Sequence, residues 1–321
     1  MIKPIESVLI AGAGAIGLLA ADSLYRYDRA CVSILASGER FERYRRDGLW
    51  INGSRVDFAL TGDTKTPEKY PDLIIAACKN YHLERLIADM KNFVGPGTII
   101  ISLLNGIASE ELIGAVYGRE RLPLAMIVST DAQNAGGKVT FTQRGFINFG
   151  DGAGKAAGQK ERGRDGAVAE FFTRAGIPFK YHEDDMKRAL WYKFMVNVGA
   201  NQTSALLRLP YGVFKKGGPM EVREAGEILE SAMREVIAIS RAEGINLDDS
   251  DIDAWYAAMR ALGDNSYTSL CQDVMAGRKT EVDVFSGTVI AYGKKHGIPT
   301  PVNELLYRAI KTIEKRAAAA V

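Results

Sequence analysis

Residues 7–17 read SVLIAGAGAIG, and this stretch decides the fold of the first half of the chain. Ser7 to Ala11 is a short apolar run typical of a buried parallel strand. A G-x-G-x-x-G pattern follows directly and leads into a helical stretch from Leu18 to about Tyr27. The pattern is Gly12-Ala13-Gly14-Ala15-Ile16-Gly17. Between a strand and a helix, this pattern predicts a doubly wound dinucleotide-binding domain.

Each glycine of this loop has a physical role in such a domain. Gly12 permits the tight turn, Gly14 lets the backbone approach a pyrophosphate, and Gly17 lets helix and strand pack closely. The helix N-terminus offers unpaired N–H groups and a positive dipole end to the phosphates. We therefore predict that residues 12–17 bind the cofactor. A glycine-rich turn without a ligand is the alternative.

The end of the second predicted strand, Cys31 to Leu35, bears on the choice of cofactor. NAD enzymes usually carry Asp or Glu there to bind the ribose 2′-hydroxyl. Here the chain reads Ala36-Ser37-Gly38-Glu39-Arg40, with Arg43, Arg45 and Arg46 shortly after. Ser37 can donate a hydrogen bond, and Arg40 or Arg43 can pair with a 2′-phosphate, so NADP is favoured. Glu39 keeps NAD open, and the later arginines alternatively form the solvated face of a helix.

Two further apolar runs, Leu73 to Ala77 and Thr98 to Ser102, predict buried strands of the same sheet. Ligands of doubly wound sheets bind at the carboxyl ends of the strands, where Lys79 and Asn105 follow. Both are therefore expected beside a cofactor or substrate. The alternatives are an ordinary exposed lysine and a simple Asn105-Gly106 turn.

The rest of this half is expected to complete an α/β domain over residues 1–183. Leu49 to Leu60, broken at Asn52-Gly53, and Gly137 to Asp151 each predict a hairpin. The later segments are expected to be a surface turn over 151–166, a helix over 167–175, a strand over 177–181 and a domain boundary at 182–185.

Residues 184–321 are expected to form an all-α bundle. Helical periodicity marks five segments: Met186 to Leu207, Met220 to Glu243, Ile252 to Leu262, Glu281 to Lys295 and Asn303 to Arg316. Ser266-Tyr267-Thr268-Ser269 is expected to be a hydroxyl-rich loop, and Thr280-Glu281-Val282-Asp283 is expected to open a helix.

The first of these helices carries a row of polar residues. Lys193, Asn197 and Asn201 recur at every fourth residue within LWYKFMVNVGANQTSALL, residues 190–207. On a helix they share one face, drifting by ~40° and rising by ~6 Å per step. Polar groups among apolar neighbours are costly unless each has a partner. The row is therefore either a structural network or the wall of a cleft that binds a small, anionic substrate.

Composition excludes several classes of protein. The 321 residues are 47% hydrophobic and 25% charged, as in ordinary globular proteins, and the length favours two domains. A net charge of +2 argues against a dedicated nucleic-acid binder, and no apolar run of about 18 residues predicts a membrane span. The cysteines and histidines are too scattered for a metal site, and the cysteines suit buried residues of a protein in a reducing cytoplasm. They are Cys31, Cys78, Cys271, His82, His182 and His296.

Taken together, these motifs resemble the 2-dehydropantoate 2-reductases, or ketopantoate reductases, over essentially the whole chain. The shared pattern runs through the polar helix, a Ser-x-x-x-Asp motif and a Thr-Glu-x-Asp motif. Its residues are Trp191, Lys193, Asn197, Asn201, Ser269, Asp273, Thr280, Glu281 and Asp283. The resemblance implies NADPH-dependent reduction of ketopantoate to pantoate, on the route to pantothenate and coenzyme A. It also implies a Rossmann-type domain followed by a helical domain similar to the C-terminal part of 6-phosphogluconate dehydrogenase.

The resemblance also implies roles for the candidate residues. Lys193 matches the general acid and Glu281 its paired carboxylate, although a carboxylate in a first helical turn is the alternative for Glu281. The matching substrate-binding residues are Asn197, Asn201, Ser269 and Asn105, and Lys79 and Asn105 match residues near the nicotinamide. This assignment fits the chemistry, because hydride addition to a ketone leaves charge on oxygen and requires a proton donor within ~3 Å.

Three positions depart from the family pattern. Ala36-Ser37 stands where members commonly have an arginine, Leu104 where many have a glutamine, and Gln202-Thr203 where a smaller or prolyl residue is often seen. Two alternatives therefore stay open: a reductase of another branched or aromatic 2-keto acid, and a nucleotide-sensing protein without catalysis. The expected partner is a small-molecule substrate, with a homodimer as the expected assembly.

Overall fold

A computed structural model describes residues 3–64, 66–152 and 158–319. The chain divides into two compact units, Met1–Lys187 and Arg188–Val321. The first unit contains the strands and the second is helical. The predicted domain limits, 1–183 and 184–321, stay predictions.

The first unit alternates strands and helices along the chain. Its strands are β1 (Val8–Ala11), β2 (Val32–Ala36), β3 (Leu49–Ile51), β4 (Ser54–Val56), β5 (Ala59–Gly62), β6 (Leu73–Ala76), β7 (Ile99–Ser102), β8 (Leu124–Thr130), β9 (Gln133–Ala135), β10 (Lys138–Thr140), β11 (Arg144–Gly150) and β12 (Phe179–Tyr181). Its helices are α1 (Ala15–Tyr27), α2 (Gly38–Asp47), α3 (Leu83–Asp89), α4 (Ser109–Tyr117) and α5 (Gln159–Arg174).

A five-stranded parallel sheet of order β5-β2-β1-β6-β7 forms the centre of this unit. Alternate residues of β1 pack into two different apolar clusters: Ile10 lies with Leu18 and Leu24 of α1, and Leu9 lies with Leu86 of α3. Both faces of the sheet are therefore covered, which explains why its strands are apolar runs without alternation. The predicted doubly wound fold is confirmed, and α1 begins three residues before the expected Leu18.

The hairpin predicted over Leu49 to Leu60 is only partly right. β3 and β4 pair antiparallel around Asn52 and Gly53, whose φ angles of 48° and 80° suit a two-residue hairpin turn. β5 begins at Ala59 and pairs parallel with β2, so Leu60 belongs to the central sheet. Pairing with a strand distant in sequence decided the position of this last segment.

The hairpin predicted over Gly137 to Asp151 is wrong. β10 pairs with β9 and β3, whereas β11 pairs with β8 and β12 in another sheet. Between β10 and β11 the Asp131 carboxylate accepts hydrogen bonds from the backbone N–H groups of Thr142 and Gln143, at 2.9 and 2.8 Å. These bonds hold the connection against the end of β8 and direct the two strands into separate sheets.

Two predictions concern the end of this unit. The surface turn expected over 151–166 is wrong from residue 159 onward, because α5 begins there, and residues 153–157 lie outside the described residues. The strand expected over 177–181 is confirmed in part, since β12 covers its last three residues and pairs parallel with β11.

The second unit is helical, as predicted. Its elements are α6 (Met186–Val196, which starts just before the division), a π-helical turn (Asn197–Asn201), α7 (Gln202–Leu207), α8 (Arg223–Ala242), α9 (Asp249–Met259), α10 (Ser269–Met275), α11 (Ser286–His296) and α12 (Pro301–Ala319). α6, the π turn and α7 follow one another without a break, which confirms the long helix predicted from Met186 to Leu207. The helices predicted around α8, α9 and α12 are also confirmed.

Two details of the second unit differ from the predictions. Ser269 opens the short helix α10 instead of closing a loop, and Thr268 caps that helix by accepting from the Cys271 N–H at 3.2 Å. α11 starts at Ser286, so Glu281 lies in the preceding turn, where its carbonyl accepts from the Val284 and Phe285 N–H groups. The expectation that Glu281 opens the helix is therefore wrong.

Candidate active site

The glycine loop leaves space where a dinucleotide would need it. Gly12 has a φ of +105°, and a Cβ there would lie 2.6 Å from the Ala77 carbonyl oxygen at the end of β6. A Cβ on Gly17 would lie 1.8 Å from the Gly12 oxygen, whereas one on Gly14 would meet no described protein atom closer than 3.8 Å. Gly12 and Gly17 are thus required by the protein's own packing. Gly14 is not, and its open side fits the backbone approach of a pyrophosphate.

The N-terminus of α1 is suited to an anion. Gly14 is the N-cap residue and provides no side chain to accept from the first helical N–H groups. These groups and the helix dipole favour a phosphate at this end of the helix. The residues present therefore fit the pyrophosphate of a dinucleotide.

The loops that carry Lys79 and Asn105 lie together. Asn80, next to Lys79, donates through its side-chain amide to the Asn105 carbonyl at 2.9 Å. The Ala77 N–H donates to the Ala11 carbonyl at 2.8 Å, which sets the end of β6 beside the start of the glycine loop. The structure thus brings the Gly12–Gly17, Lys79 and Asn105 segments to one edge of the central sheet.

A polar cluster that the sequence did not reveal lies at the end of β2. Ser37 is buried, and its hydroxyl donates to Asp89 Oδ2 at 2.8 Å. The same hydroxyl oxygen accepts from Arg85 Nη2 at 3.3 Å, and Arg85 Nε lies 3.8 Å from Asp89 Oδ2. Arg85 and Asp89 come from α3, about 50 residues away in sequence, and no local pattern connects them to Ser37.

The predicted arginines of α2 fall into two groups. Arg40 is half-buried in the first turn of the helix, next to Ser37 and Gly38. Arg45 is paired with Glu42 and Arg46 with Asp47, both at 2.7 Å, and the hydrogen bond with Asp47 raises the pKa of Arg46. These two arginines lie on the solvated face of the helix, as the alternative interpretation expected.

The polar row lies across a change in helix type. Lys193 is half-buried in α6, while Asn197 and Asn201 begin and end the π turn. In a π turn the hydrogen bonds close on residue i+5, so four residues come closer to one full revolution than in an α-helix. The drift expected between the two asparagines is therefore reduced. Their side chains meet, with Asn201 Nδ2 donating to Asn197 Oδ1 at 3.3 Å.

Ser269 is placed beside this row by its neighbour Thr268. The Thr268 hydroxyl lies 3.5 Å from the Asn201 carbonyl oxygen and is buried. Ser269 itself is exposed at the first position of α10. The structure thus brings together Asn197, Asn201 and the segment that contains Ser269.

Glu281 is held in a buried turn between two anchored residues. It is 4% exposed, which is rare for a glutamate. Before it, Thr280 donates to Glu314 Oε1 through its N–H at 2.7 Å and through its hydroxyl at 2.5 Å. After it, the Ser286 N–H donates to the side chain of Gln202 at 3.2 Å. Gln202 adjoins Asn201, so this contact ties the Glu281 turn to the polar helix.

The described residues offer neither a metal-binding cluster nor a membrane-spanning helix. Among residues 3–64, 66–152 and 158–319, no three His, Cys, Asp or Glu side chains are grouped so that they could hold a metal ion. Within the same ranges, every helix is too short or too polar to cross a membrane.

Comparisons with known proteins identify the family. The family model described as ketopantoate reductase PanE/ApbA matches residues 8–154, and the model of its C-terminal part matches residues 185–314. The 2-dehydropantoate 2-reductase of Pyrococcus horikoshii is 28% identical over 311 residues, which cover 96% of this chain and 97% of that protein.

Solved structures share the fold over nearly the whole chain. D-mandelate dehydrogenase, solved with NADH and anilino(oxo)acetate, has a TM-score of 0.83 at 22% identity, covering 97% of this chain and 99% of that one. A dimeric ketopantoate reductase from Staphylococcus aureus has a TM-score of 0.77 at 20% identity, with the same coverage. At these identities the structures show the fold alone. Since the two family models together cover most of the sequence, the chain belongs to the ketopantoate reductase family.

Proposed function

We propose that this protein reduces 2-dehydropantoate to pantoate with NADPH. The observation that carries the proposal is the polar row of Lys193, Asn197 and Asn201, in a chain whose two parts both match ketopantoate reductase models. One cation and two amides suit a substrate that has a carboxylate, a hydroxyl and a keto oxygen. The family and the row together favour a 2-keto acid over a nucleotide that is only sensed.

Each candidate residue has a defined task in this reaction. Lys193 donates a proton to the oxygen at C2 as the carbonyl becomes an alcohol. Before the proton is transferred, its ammonium group stabilises the negative charge that develops on this oxygen. Asn197, Asn201 and Ser269 donate to the carboxylate and hydroxyl of the substrate. The buried Glu281 keeps the ammonium charged and oriented, or accepts from the substrate hydroxyl.

The first unit holds and orients the cofactor. Residues 12–17 receive the pyrophosphate at the N-terminus of α1, and Lys79 and Asn105 bind near the nicotinamide. When bound, NADPH supplies the hydride that adds to C2 of the substrate. Arg40 and Arg85, which lie on either side of the buried Ser37 at the end of β2, form the region for the 2′-phosphate.

Steady-state kinetics test this function directly. We expect NADPH oxidation with ketopantoate, and a kcat/KM above those of branched and aromatic 2-keto acids measured in the same panel. Comparison of NADPH with NADH in each reaction assigns the cofactor. A higher kcat/KM for another keto acid would overturn the proposed substrate, and the absence of turnover with every member of the panel would overturn the enzyme assignment.

The Arg85→Ala variant tests cofactor selection. Arg85 is 62% exposed, and contacts with Asp89 and Ser37 hold its guanidinium group at the end of β2. A charge-assisted hydrogen bond contributes about 1.5–3 kcal/mol, so we expect KM for NADPH to rise about tenfold or more. KM for NADH, which lacks the phosphate, should stay unchanged.

Arg45→Ala is the matched control for this variant. Arg45 is also an exposed arginine of this region, but it lies on the solvated face of α2, where its guanidinium is 2.7 Å from the Glu42 carboxylate. We expect both cofactors to keep their KM values in Arg45→Ala. Equal rises for NADPH and NADH in Arg85→Ala would contradict contact with the 2′-phosphate.

The homodimer and the cytoplasmic location also remain our proposals. The support for a homodimer is the fold shared with the dimeric Staphylococcus aureus enzyme. The support for the cytoplasm is the scattered arrangement of Cys31, Cys78 and Cys271.

A further inference from the structure

Gln202 directly follows the polar row, and both the nitrogen and the oxygen of its side-chain amide make hydrogen bonds. The residue is fully buried, and Nε2 donates to the Val198 carbonyl at 2.7 Å. Oε1 accepts from the Ser286 N–H at 3.2 Å and from the Ser286 hydroxyl at 2.6 Å. A buried amide is costly unless its groups are satisfied, and these bonds satisfy both ends.

The bond to Val198 replaces one that the π turn removes. In an α-helix the Val198 carbonyl would accept from the backbone N–H of Gln202, four residues later. That N–H instead donates to the Gly199 carbonyl. The side chain of Gln202 therefore donates to the carbonyl that the backbone N–H of Gln202 does not reach. This bond stabilises the turn that contains Asn197 and Asn201.

The bond to Ser286 connects this turn with the segment that carries Glu281. Ser286 is the first residue of α11, five positions after Glu281. The intervening chain is a tight turn in which the Val284 and Phe285 N–H groups bond to the Glu281 carbonyl at 2.9 and 3.2 Å. A displacement at Ser286 would therefore move the backbone of Glu281.

Asn303 of α12 holds both partners in place. Its Oδ1 lies 3.3 Å from Gln202 Nε2 and 3.0 Å from the Ser286 hydroxyl. Its Nδ2 donates to Glu235 Oε2 at 2.7 Å, which extends the network to α8. Gln202, Ser286 and Asn303 are all fully buried, so this network is rigid and little weakened by competition with water.

We propose that Gln202 is a positioning residue for the substrate site. Its bond to Val198 stabilises the π turn and so aligns the side chains of Asn197 and Asn201. Its bonds to Ser286 fix the position of that turn relative to the turn that contains Glu281. This inference rests on the proposed function, because it assumes that these side chains hold the keto acid. Gln202 itself contacts neither substrate nor cofactor in this proposal. Its effect passes through the backbone of Val198 and Ser286.

The Gln202→Met variant tests the proposal, because it keeps the length of the side chain and removes the amide. Lys193 lies in the α-helix before the π turn, whereas the asparagines lie within it. We therefore expect kcat/KM for the keto acid to fall about 10- to 100-fold, mainly through a rise in KM, because small misplacements of binding groups have effects of this size. KM for NADPH should stay as in the wild type.

Ser204→Ala is the matched control. Ser204 is also fully buried in α7, two residues later, and its hydroxyl donates to the Leu209 carbonyl at 2.6 Å, away from the π turn. The Ser204→Ala substitution should lower Tm about as much as Gln202→Met does and leave the KM for the keto acid unchanged. An equal loss of kcat/KM in both variants, or no loss in Gln202→Met, would overturn the positioning role. If Gln202→Met does not fold, Ser286→Ala replaces it, with a smaller rise in the same KM expected and an unchanged KM counting against the proposal.

Hydrogen exchange separates this inference from the proposed function. We expect the backbone amides of residues 198–203 to exchange faster in Gln202→Met than in Ser204→Ala, whatever the substrate is. If the wild-type protein turns over no keto acid, the proposed function fails, and faster exchange would still support the role of Gln202 in the π turn. Unchanged exchange would overturn that role.

Discussion

Lys193→Ala should lose almost all turnover while it keeps its cofactor. A positioned general acid contributes about 10²- to 10⁴-fold, and the ammonium also stabilises charge on the keto oxygen. We expect kcat to fall by at least this factor. The dissociation constant for NADPH, measured by fluorescence titration, should not change, because the proposed cofactor residues lie in the unit Met1–Lys187. The measurement is single-turnover NADPH oxidation with saturating keto acid.

Lys187→Ala is the matched control, because it also removes a lysine charge from helix α6. Lys187 lies on the same helix, α6, but is exposed, so its loss should change kcat/KM by no more than about twofold. Full activity of Lys193→Ala would remove Lys193 from the role of acid. A loss of NADPH affinity equal to the loss of kcat would show that the substitution damages the cofactor site instead.

Two alanine substitutions in the glycine loop should separate a loss of stability from a loss of cofactor binding. In Gly17→Ala the new Cβ would lie 1.8 Å from the Gly12 carbonyl oxygen, so helix and loop must separate. Overpacking of this kind costs about 1–3 kcal/mol or more, and we expect Tm to fall by about 5 °C or more. In Gly14→Ala the nearest described atom is 3.8 Å away, and only a small fall in Tm is expected.

The dissociation constant for NADPH should separate the two variants further. The methyl group of Gly14→Ala occupies the side from which the pyrophosphate approaches, so we expect the dissociation constant to rise about tenfold, or about 1.4 kcal/mol. Thermal unfolding and fluorescence titration of both variants check the pair. A Gly14→Ala variant that binds NADPH as tightly as the wild type would contradict the placement of the pyrophosphate at this residue.

The elements that the sequence predicted well are those with strong local patterns. The apolar run of β1 followed by the Gly12–Gly17 loop specified the dinucleotide fold, because continuous apolar strands fit only a sheet covered on both faces. The long helix around Lys193 was recognisable from its period alone. Where apolar and polar residues alternate, the pattern predicts a strand but not the strand with which it pairs. The segment over Gly137 to Asp151 therefore forms two strands that lie in different sheets.

By itself, then, the sequence determined the fold class, the glycine loop between β1 and α1 and the spacing of Lys193, Asn197 and Asn201. The tertiary structure alone decided that Arg85 lies beside Ser37, 48 residues away, and that Glu281 lies in a turn before α11. It also decided the surroundings of the π turn, where the side chain of Gln202 accepts a hydrogen bond from the N–H of Ser286, 84 residues later. Local patterns report propensity and burial, whereas such contacts depend on which distant groups the folded chain brings within hydrogen-bonding distance.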